Sequence, residues 1–363
     1  MRIARFFIAL ILTLSLTGAS QAQEATALFG ANENDARETL VVHGSTDIEA
    51  FAPVLEGFAA AAPGLRIVYE QRSTNDIYAL ASGACDRGEA SADLLISSSI
   101  DQQIKLVNDG CAMAHVSGLT QDLPGWANWR NEVFGLTSEP AVMVYNRTLV
   151  APDQVPKSRF DLIDLMRLSD KSFAGKVATY DIEASGLGYL FAFADAQQAT
   201  TFGRLIEAFG RSGAVATCCS AEIIDAVAEG RFLIGYNLLG SYALARAAKD
   251  DRIGIVAPSD YTLLLSRAAL VPKAAGNPDA AKRLIDFTLS DKGKNLLVEA
   301  ALIVQFSDGV RDDAATIQVL DSTLRPLAFS PALLVGLDRQ KRQLFIDSWR
   351  SSFGIGTLGN GSN

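Results

Sequence analysis

The stretch TLVVHGSTDIEAF, residues 39–51, decides the fold class. Its first five residues, apolar and β-branched up to His43, read as a short buried strand. Gly44-Ser45-Thr46-Asp47 then break the strand, and Ile48, Phe51, Leu55 and Phe58 recur at the spacing of an amphipathic helix. Pro53 lacks the N–H that a helix interior needs, so the helix either starts near it or bends there. The unit repeats downstream. RIVYE (66–70) runs into RSTND and a short helix carrying Ile77 and Leu80; ADLLIS (92–97) runs into Ser97-Ser98-Ser99 and a helix with Ile104 and Val107 that stops at Gly110. Three strands, each followed by a Ser or Thr cluster and a helix, have the β-α-β rhythm of a parallel sheet covered on both faces.

Farther along, VFGLTSEPAVMVYN (133–146) is a long β-type stretch whose Pro140 argues against a central strand and suggests a crossing between domains. The rhythm restarts with KVATYD (176–181), a helix opening at ASGLGYLFAFA, helical patterns over 202–210 and 220–229, and the strand FLIGYN (232–237). The extended stretch 253–272 reads as the return crossing, and 278–290 and 291–300 read as helices packing back on the first domain. Residues 310–350 read as mostly helical. The chain therefore divides into a lobe 1 of residues 38–138 plus 262–350, a lobe 2 of residues 139–261, and a disordered tail, 351–363.

The first residues, MRIARFFIALILTLSLTGASQAQ, place Arg2 and Arg5 before an apolar run from Phe6 to Leu16 and small residues at a cleavage point, so residues 1–22 read as a cleaved export signal and the mature chain as periplasmic. Loss of Arg2 and Arg5 moves the formal charge from −9 to −11, because no acidic residue precedes Glu24. That charge disfavours nucleic acid and anionic lipid, which reward clustered Lys and Arg. In an oxidising compartment Cys85 and Cys111, each at a helix end beside a glycine, are expected to form a disulfide, with two free thiols as the alternative. Cys218 and Cys219 are either a vicinal disulfide or two small buried residues. Two histidines and these cysteine spacings give no metal site, and neither GxSxG nor HExxH occurs, so no enzyme is expected. The GLG at 186–188 is not a dinucleotide fingerprint, and no cofactor is expected.

The export signal, the run from Leu40 to Gly83 (LVVHGSTDIEAFAPVLEGFAAAAPGLRIVYEQRSTNDIYALASG), ADLLISSSIDQQIKLVNDG and the SEPAVMVYN crossing together resemble the periplasmic solute-binding proteins of ABC importers. Within these the chain is similar to the branch that includes ferric-iron-binding and anion- or sugar-phosphate-binding members. The resemblance implies the two-lobe, type II periplasmic-binding fold: a clamshell of two α/β lobes, each a mostly parallel sheet flanked by helices, joined by two extended hinge crossings. It also implies a monomer that delivers a small solute to an inner-membrane permease.

In such sheets ligands bind beyond the carboxyl ends of the strands. The expected ligand contacts are therefore Ser45 and Thr46, Ser73 and Thr74, Ser97 and Ser98, Glu139 in the crossing, Ser185 and Gly186 at a helix start, and Tyr236 and Asn237 at the end of the second-lobe strand. Each Ser/Thr cluster has a plainer reading as a helix cap, Glu139 as a solvated hinge charge, and His43 as a structural strand-end residue. Iron-binding relatives use two adjacent tyrosines where this chain has Tyr236-Asn237, and Tyr242 reads as packed. A small organic anion, phosphorylated, carboxylated or polyhydroxy, therefore ranks above ferric iron, which needs hard anionic oxygen ligands. Ligand sensing for a membrane kinase is a third reading.

Overall fold

A computed structural model describes residues 25–168, 170–198, 200–307, 316–319 and 321–353. The export signal at 1–22 lies outside the described residues, as do residues 354–363 of the expected tail; residues 351–353 of that tail are described, and helix runs as far as Ser352.

In chain order the first lobe begins with β1 (Ala25–Gly30), β2 (Glu38–Gly44), α1 (Ile48–Ala61), β3 (Leu65–Gln71), α2 (Thr74–Asp86), β4 (Leu94–Ser97) and α3 (Ile100–Asn108), followed by β5 (Ala112–Met113), α4 (Gly118–Gln121), β6 (Asn128–Trp129) and β7 (Val133–Gly135). The second lobe holds β8 (Glu139–Asn146), α5 (Arg159–Met166), β9 (Val177–Tyr180), α6 (Gly186–Gln198), α7 (Phe202–Ser212), β10 (Val215–Thr217), α8 (Ser220–Ala228), β11 (Ile234–Leu239), α9 (Gly240–Ala247), β12 (Ile253–Val256) and β13 (Thr262–Leu265). Then come β14 (Ala268–Pro272), α10 (Pro278–Leu289), α11 (Asp291–Glu299), β15 (Gln305–Ser307), β16 (Thr316–Gln318), β17 (Leu324–Pro326) and α12 (Arg339–Ser352).

The first sheet has the order β1-β3-β2-β4-β14-β7-β6, with β2 parallel to both β3 and β4 and β1 antiparallel at the edge. Alternation along β2 fixes its layers. Leu40 and Val42 join Phe51, Leu55 and Leu284 in one cluster, while Val41 packs against the opposite one with Ile77 and Ile104. Helices thus cover both faces, but the sheet is mixed and not mostly parallel as expected: β14 pairs antiparallel with β4 and β7, and β6 with β7. Helix α1 continues through Pro53.

The second sheet has the order β10-β9-β11-β8-β13-β17, with β12 also pairing β8. Here β8 is a central strand, contrary to the expectation drawn from Pro140. At Pro140 the strand has β13 as its only partner; β11 joins from Ala141 and β12 from Met143. The missing N–H therefore falls where only one side of the ladder is occupied.

Two short crossings, Leu136–Ser138 and Ser266–Arg267, connect the lobes and bind each other: Leu136 N–H donates to the Arg267 carbonyl at 2.9 Å and Arg267 N–H to Thr137 Oγ1 at 2.9 Å. Gly135 permits this approach, since a Cβ there would stand 2.4 Å from Ser266 Oγ. A third pass runs alongside, with Ser138 N–H bonded to the Leu302 carbonyl and Val304 N–H to that of Ser138. Residues 262–350 therefore do not all belong to the first lobe: β13 and β17 are in the second sheet, and α12 buries Ile346 and Trp349 among Leu205, Phe209 and Tyr236. Among the described residues of 310–350, α12 is the α-helix, preceded by short strands and 3₁₀ turns.

Candidate ligand-binding site

A cavity of about 410 Å³ lies between the lobes, at the carboxyl ends of β2, β3, β4, β9, β10 and β11. From the first lobe it is lined by Ser45 after β2, Asp47 at the N-cap of α1, Gln71 at the end of β3 with Arg72 after it, Ser73 and Thr74 opening α2, and Ser98 after β4. Arg267 enters from the crossing. The second lobe contributes Tyr180, the Ala184–Ser185 approach to α6 with Leu187, Cys218 and Cys219, the first turn of α8 (Ser220, Ala221, Glu222), Leu239 and Tyr242. Every contributing junction is a strand end or a helix N-terminus, where unpaired N–H groups and the helix dipole favour acceptors. At α8 the N-cap is Cys219, which makes no side-chain cap bond.

The polar groups are held in place by local bonds. Ser98 N–H donates to Ser45 Oγ at 3.0 Å, and the two hydroxyls stand 3.3 Å apart. Gln71 spans the start of α1, accepting from Ile48 N–H at 2.9 Å and donating to Asp47 Oδ1 at 3.0 Å. Arg72 lies on Glu70, with contacts of 3.1 and 2.7 Å. Arg267, 1 % exposed, forms a two-pronged pair with Glu139 at 2.8 and 3.1 Å, and Glu139 also accepts from the Thr137 and Ser241 hydroxyls. Burial works against the Arg267 charge, yet the carboxylate more than offsets it and keeps the guanidinium protonated. Desolvation raises the Asp47 pKa and pushes the Tyr242 phenol up to about 12.

The lobes touch around this cavity. Gly186 N–H donates to Thr74 Oγ1 at 3.0 Å, Asn75 Nδ2 to the Glu183 and Ala184 carbonyls at 3.2 and 3.1 Å, and Asp47 N–H to the Tyr242 hydroxyl at 3.3 Å.

Of the residues predicted from sequence, Ser45, Ser73, Thr74, Ser98 and Ser185 line the cavity, and Gly186 abuts it through Thr74. Thr46 and Ser97 are fully buried behind it; the Thr46 carbonyl accepts from the Tyr69 hydroxyl at 2.6 Å, and Ser97 Oγ accepts from Ser99 N–H. Glu139 lies beneath Arg267 and is no solvated hinge charge.

Tyr236 and Asn237 are placed elsewhere. Strand β11 does not end at them: its register with β8 shifts between Gly235 and Leu238, and Asn237 takes φ 63°. This bulge turns both side chains into the second-lobe interior. There Asp195 accepts from the Tyr236 hydroxyl at 2.6 Å, Asn237 Nδ2 at 2.9 Å, Tyr261 at 2.9 Å and Arg159 at 3.0 Å. The strand meets the cleft at Leu239 instead, so Tyr242, expected to be packed away, lines the cavity.

Sequence reasoning also missed Asp47, Gln71, Arg72, Arg267 and Glu222. The first three flank clusters already identified and were signalled by position; Arg267 had no local signal. His43 contacts Glu70 at 3.1 Å and is absent from the lining. Cys85 and Cys111 are bonded at 2.04 Å, and Cys218 and Cys219 form a vicinal disulfide. Among the described residues no three His, Cys, Asp or Glu side chains cluster as a metal site would need.

Two α/β lobes that face each other across a cavity and are joined by paired crossings define a clamshell solute-binding protein. The chain belongs to the family of bacterial extracellular solute-binding proteins, whose family pattern matches residues 54–318. Its structure is similar to that of the substrate-binding protein of an ABC transporter from Agrobacterium tumefaciens, at 37 % identity over 92 % of this chain and 100 % of that one, with a TM-score of 0.84. It shares the fold with AfuA from Actinobacillus pleuropneumoniae bound to fructose 6-phosphate (16 % identity, 88 % and 100 % of the chains, TM-score 0.69). The same holds for iron-bound HitA from Pseudomonas aeruginosa (18 %, 86 % and 99 %, 0.65). No curated protein sequence matches.

Proposed function

We propose that this protein is the periplasmic solute-binding component of an ABC importer, a monomer that captures a small organic anion, phosphorylated, carboxylated or polyhydroxy, and delivers it to an inner-membrane permease. The observation that carries the anion is the convergence on one side of the cavity of the N-termini of α1 and α2 with the guanidiniums of Arg72 and Arg267. Such donors, fixed before the ligand arrives, stabilise negative charge without reorganising. The importer role is supported by the Agrobacterium tumefaciens structure, itself the substrate-binding protein of an ABC transporter. The ligand contacts in this reading are Ser45, Arg72, Ser73, Thr74, Ser98, Ser185 and Arg267, and no catalytic step is involved.

Ferric iron remains the second reading because Tyr180 and Tyr242 both line the cavity. Burial raises the pKa of both phenols, which opposes the phenolate that ferric iron requires. Calorimetric titration of the wild-type chain and of Arg72→Gln with inorganic phosphate, fructose 6-phosphate and citrate tests the anion reading. Binding that weakens at least about tenfold in the variant is expected, from the loss of a charge-assisted bond. A visible charge-transfer band with ferric salt, and no anion binding, would reverse the ranking. A neighbouring gene for a sensor kinase in place of a permease would redirect the same site to sensing.

A further inference from the structure

The two walls of the cavity differ in kind. Every lining residue from the first lobe and the crossing carries a hydroxyl, amide or charged group. The second-lobe wall is mainly hydrocarbon, aromatic ring and sulfur: Tyr180, Leu187, Cys218, Cys219, Leu239 and Tyr242. The polar groups on that wall also bond within the protein. The Tyr180 hydroxyl bonds to Ser220 Oγ, that of Tyr242 accepts from Asp47 N–H at 3.3 Å, Ser185 Oγ accepts from Gly188 N–H at 3.0 Å, and Glu222 accepts from Thr217 at 3.3 Å. A ligand on that side therefore meets ring, aliphatic and sulfur surface beside these few polar atoms.

The vicinal disulfide sits among these residues. Joining Cys218 to Cys219 removes both S–H donors and fixes two adjacent side chains as one polarizable, non-polar surface. Both residues are half-buried, and the bond stands just before α8, at the mouth of β10.

We propose that the ligand is two-faced: its anionic group lies on the first lobe and a ring or other non-polar carbon face lies on the second-lobe wall formed around the Cys218–Cys219 disulfide. This rests on the anion reading above and narrows it, because a bare inorganic anion or a fully hydroxylated chain would leave that wall facing water. It also assigns the disulfide a role in selectivity: it is a ligand-facing surface as well as a covalent link.

The test pairs probes that share an anionic group and differ in the carbon part: glycerol 3-phosphate with phenyl phosphate, and glycerate with benzoate, together with the neutral benzyl alcohol. Calorimetry on the oxidised mature chain is expected to show the ring member of at least one pair binding about tenfold or more tighter. In Cys218→Ser/Cys219→Ser the ratio is expected to fall to about threefold or less. Ala221→Asn, which adds a polar group to the same wall and leaves the disulfide intact, is expected to do the same and guards against a folding defect in the double variant. Equal affinities within both pairs, or a preference that survives in both variants, overturns the proposal while the anion reading stands. Benzyl alcohol binding where no anion binds overturns the anion reading and retains the wall. Binding by none of the five overturns both.

Discussion

Arg267 is a cation almost without access to water, and it is stable there because Glu139 answers it in two-pronged geometry. Removing one partner of such a pair strands the other. Arg267→Met is therefore expected to cost about 3–5 kcal/mol in urea unfolding, and adding Glu139→Met is expected to recover part of the loss, since a pair replaced whole leaves no buried charge. Asp101 gives a second residue-scale prediction. It is 2 % exposed, accepts from the Ser99 hydroxyl at 2.8 Å, and burial pushes its carboxyl up to about 6. The folded chain then holds a proton that the unfolded chain releases between roughly pH 4 and 6, so stability falls as pH rises through that window, by about 3 kcal/mol in all. Melting temperatures from pH 4 to 8 are expected to fall less steeply in Asp101→Asn; parallel curves would refute the assignment. How far the site was legible follows the same locality. Ser45, Ser73, Thr74, Ser98 and Ser185 were readable because a strand, a hydroxyl residue and a helix start stand next to one another in sequence. Arg267 was not, because its partner is 128 residues away. Tyr236 and Asn237 were misplaced because a bulge depends on the neighbouring strand's register, which no short stretch encodes.

Among the elements, α2 and the segment entering β5 are tied by Cys85–Cys111, which closes a loop with a sequence separation of 26. Restricting a loop of that length in the unfolded chain stabilises the fold by about 3 kcal/mol, so Cys85→Ala/Cys111→Ala is expected to lose that amount in guanidinium unfolding. The docking of α12 on the second lobe depends on one glycine. A Cβ at Gly210 would lie 1.6 Å from the Ser352 carbonyl oxygen, so α7 and α12 approach there backbone to backbone. Gly210→Ala is expected to displace the end of α12 and to cost about 1–3 kcal/mol. Faster amide exchange confined to α12 and its neighbours would be the signature, and unchanged protection there would show that the two helices can separate without loss. The strand–helix units of the first lobe were legible in their periodicity. Strand β1 was not, because Ala25–Gly30 alternates between half-buried and exposed and has no buried stripe to mark it. Helix α12 could be read as a helix, but the lobe that receives it could not, since that is fixed by Leu205 and Phe209 far upstream.

At the scale of the whole molecule, two lobes with an interlobe cavity were readable because each β-α-β unit declares where its strand ends point. The third pass through the hinge was hidden, because its pairing of Ser138 with Leu302 and Val304 joins segments more than a hundred residues apart. Three passes confine the relative motion of the lobes to a hinge. Hydrogen bonds beside the cavity run from Thr74, Asn75 and Asp47 to Gly186, Glu183, Ala184 and Tyr242, and Ile77, Ile100 and Ile104 of the first lobe share an apolar cluster with Leu187 and Phe191 of the second. Each of these hydrogen bonds contributes about 0.5–1.5 kcal/mol to the arrangement of the lobes. Asn75 separates closure from ligand contact, because it bridges the lobes, is itself positioned by Gln102 at 2.8 Å, and is absent from the cavity lining. Asn75→Ala removes both of its interlobe bonds and is expected to enlarge the radius of gyration of the free protein in small-angle scattering. Ligand at saturation is expected to restore the compact form, with apparent affinity lowered about 3- to 30-fold because binding must first offset the lost closure energy. Were the free variant and the wild type to give superimposable scattering while affinity fell by the same factor, Asn75 would be acting on the ligand directly, and these contacts would not be what sets the clamshell's resting state.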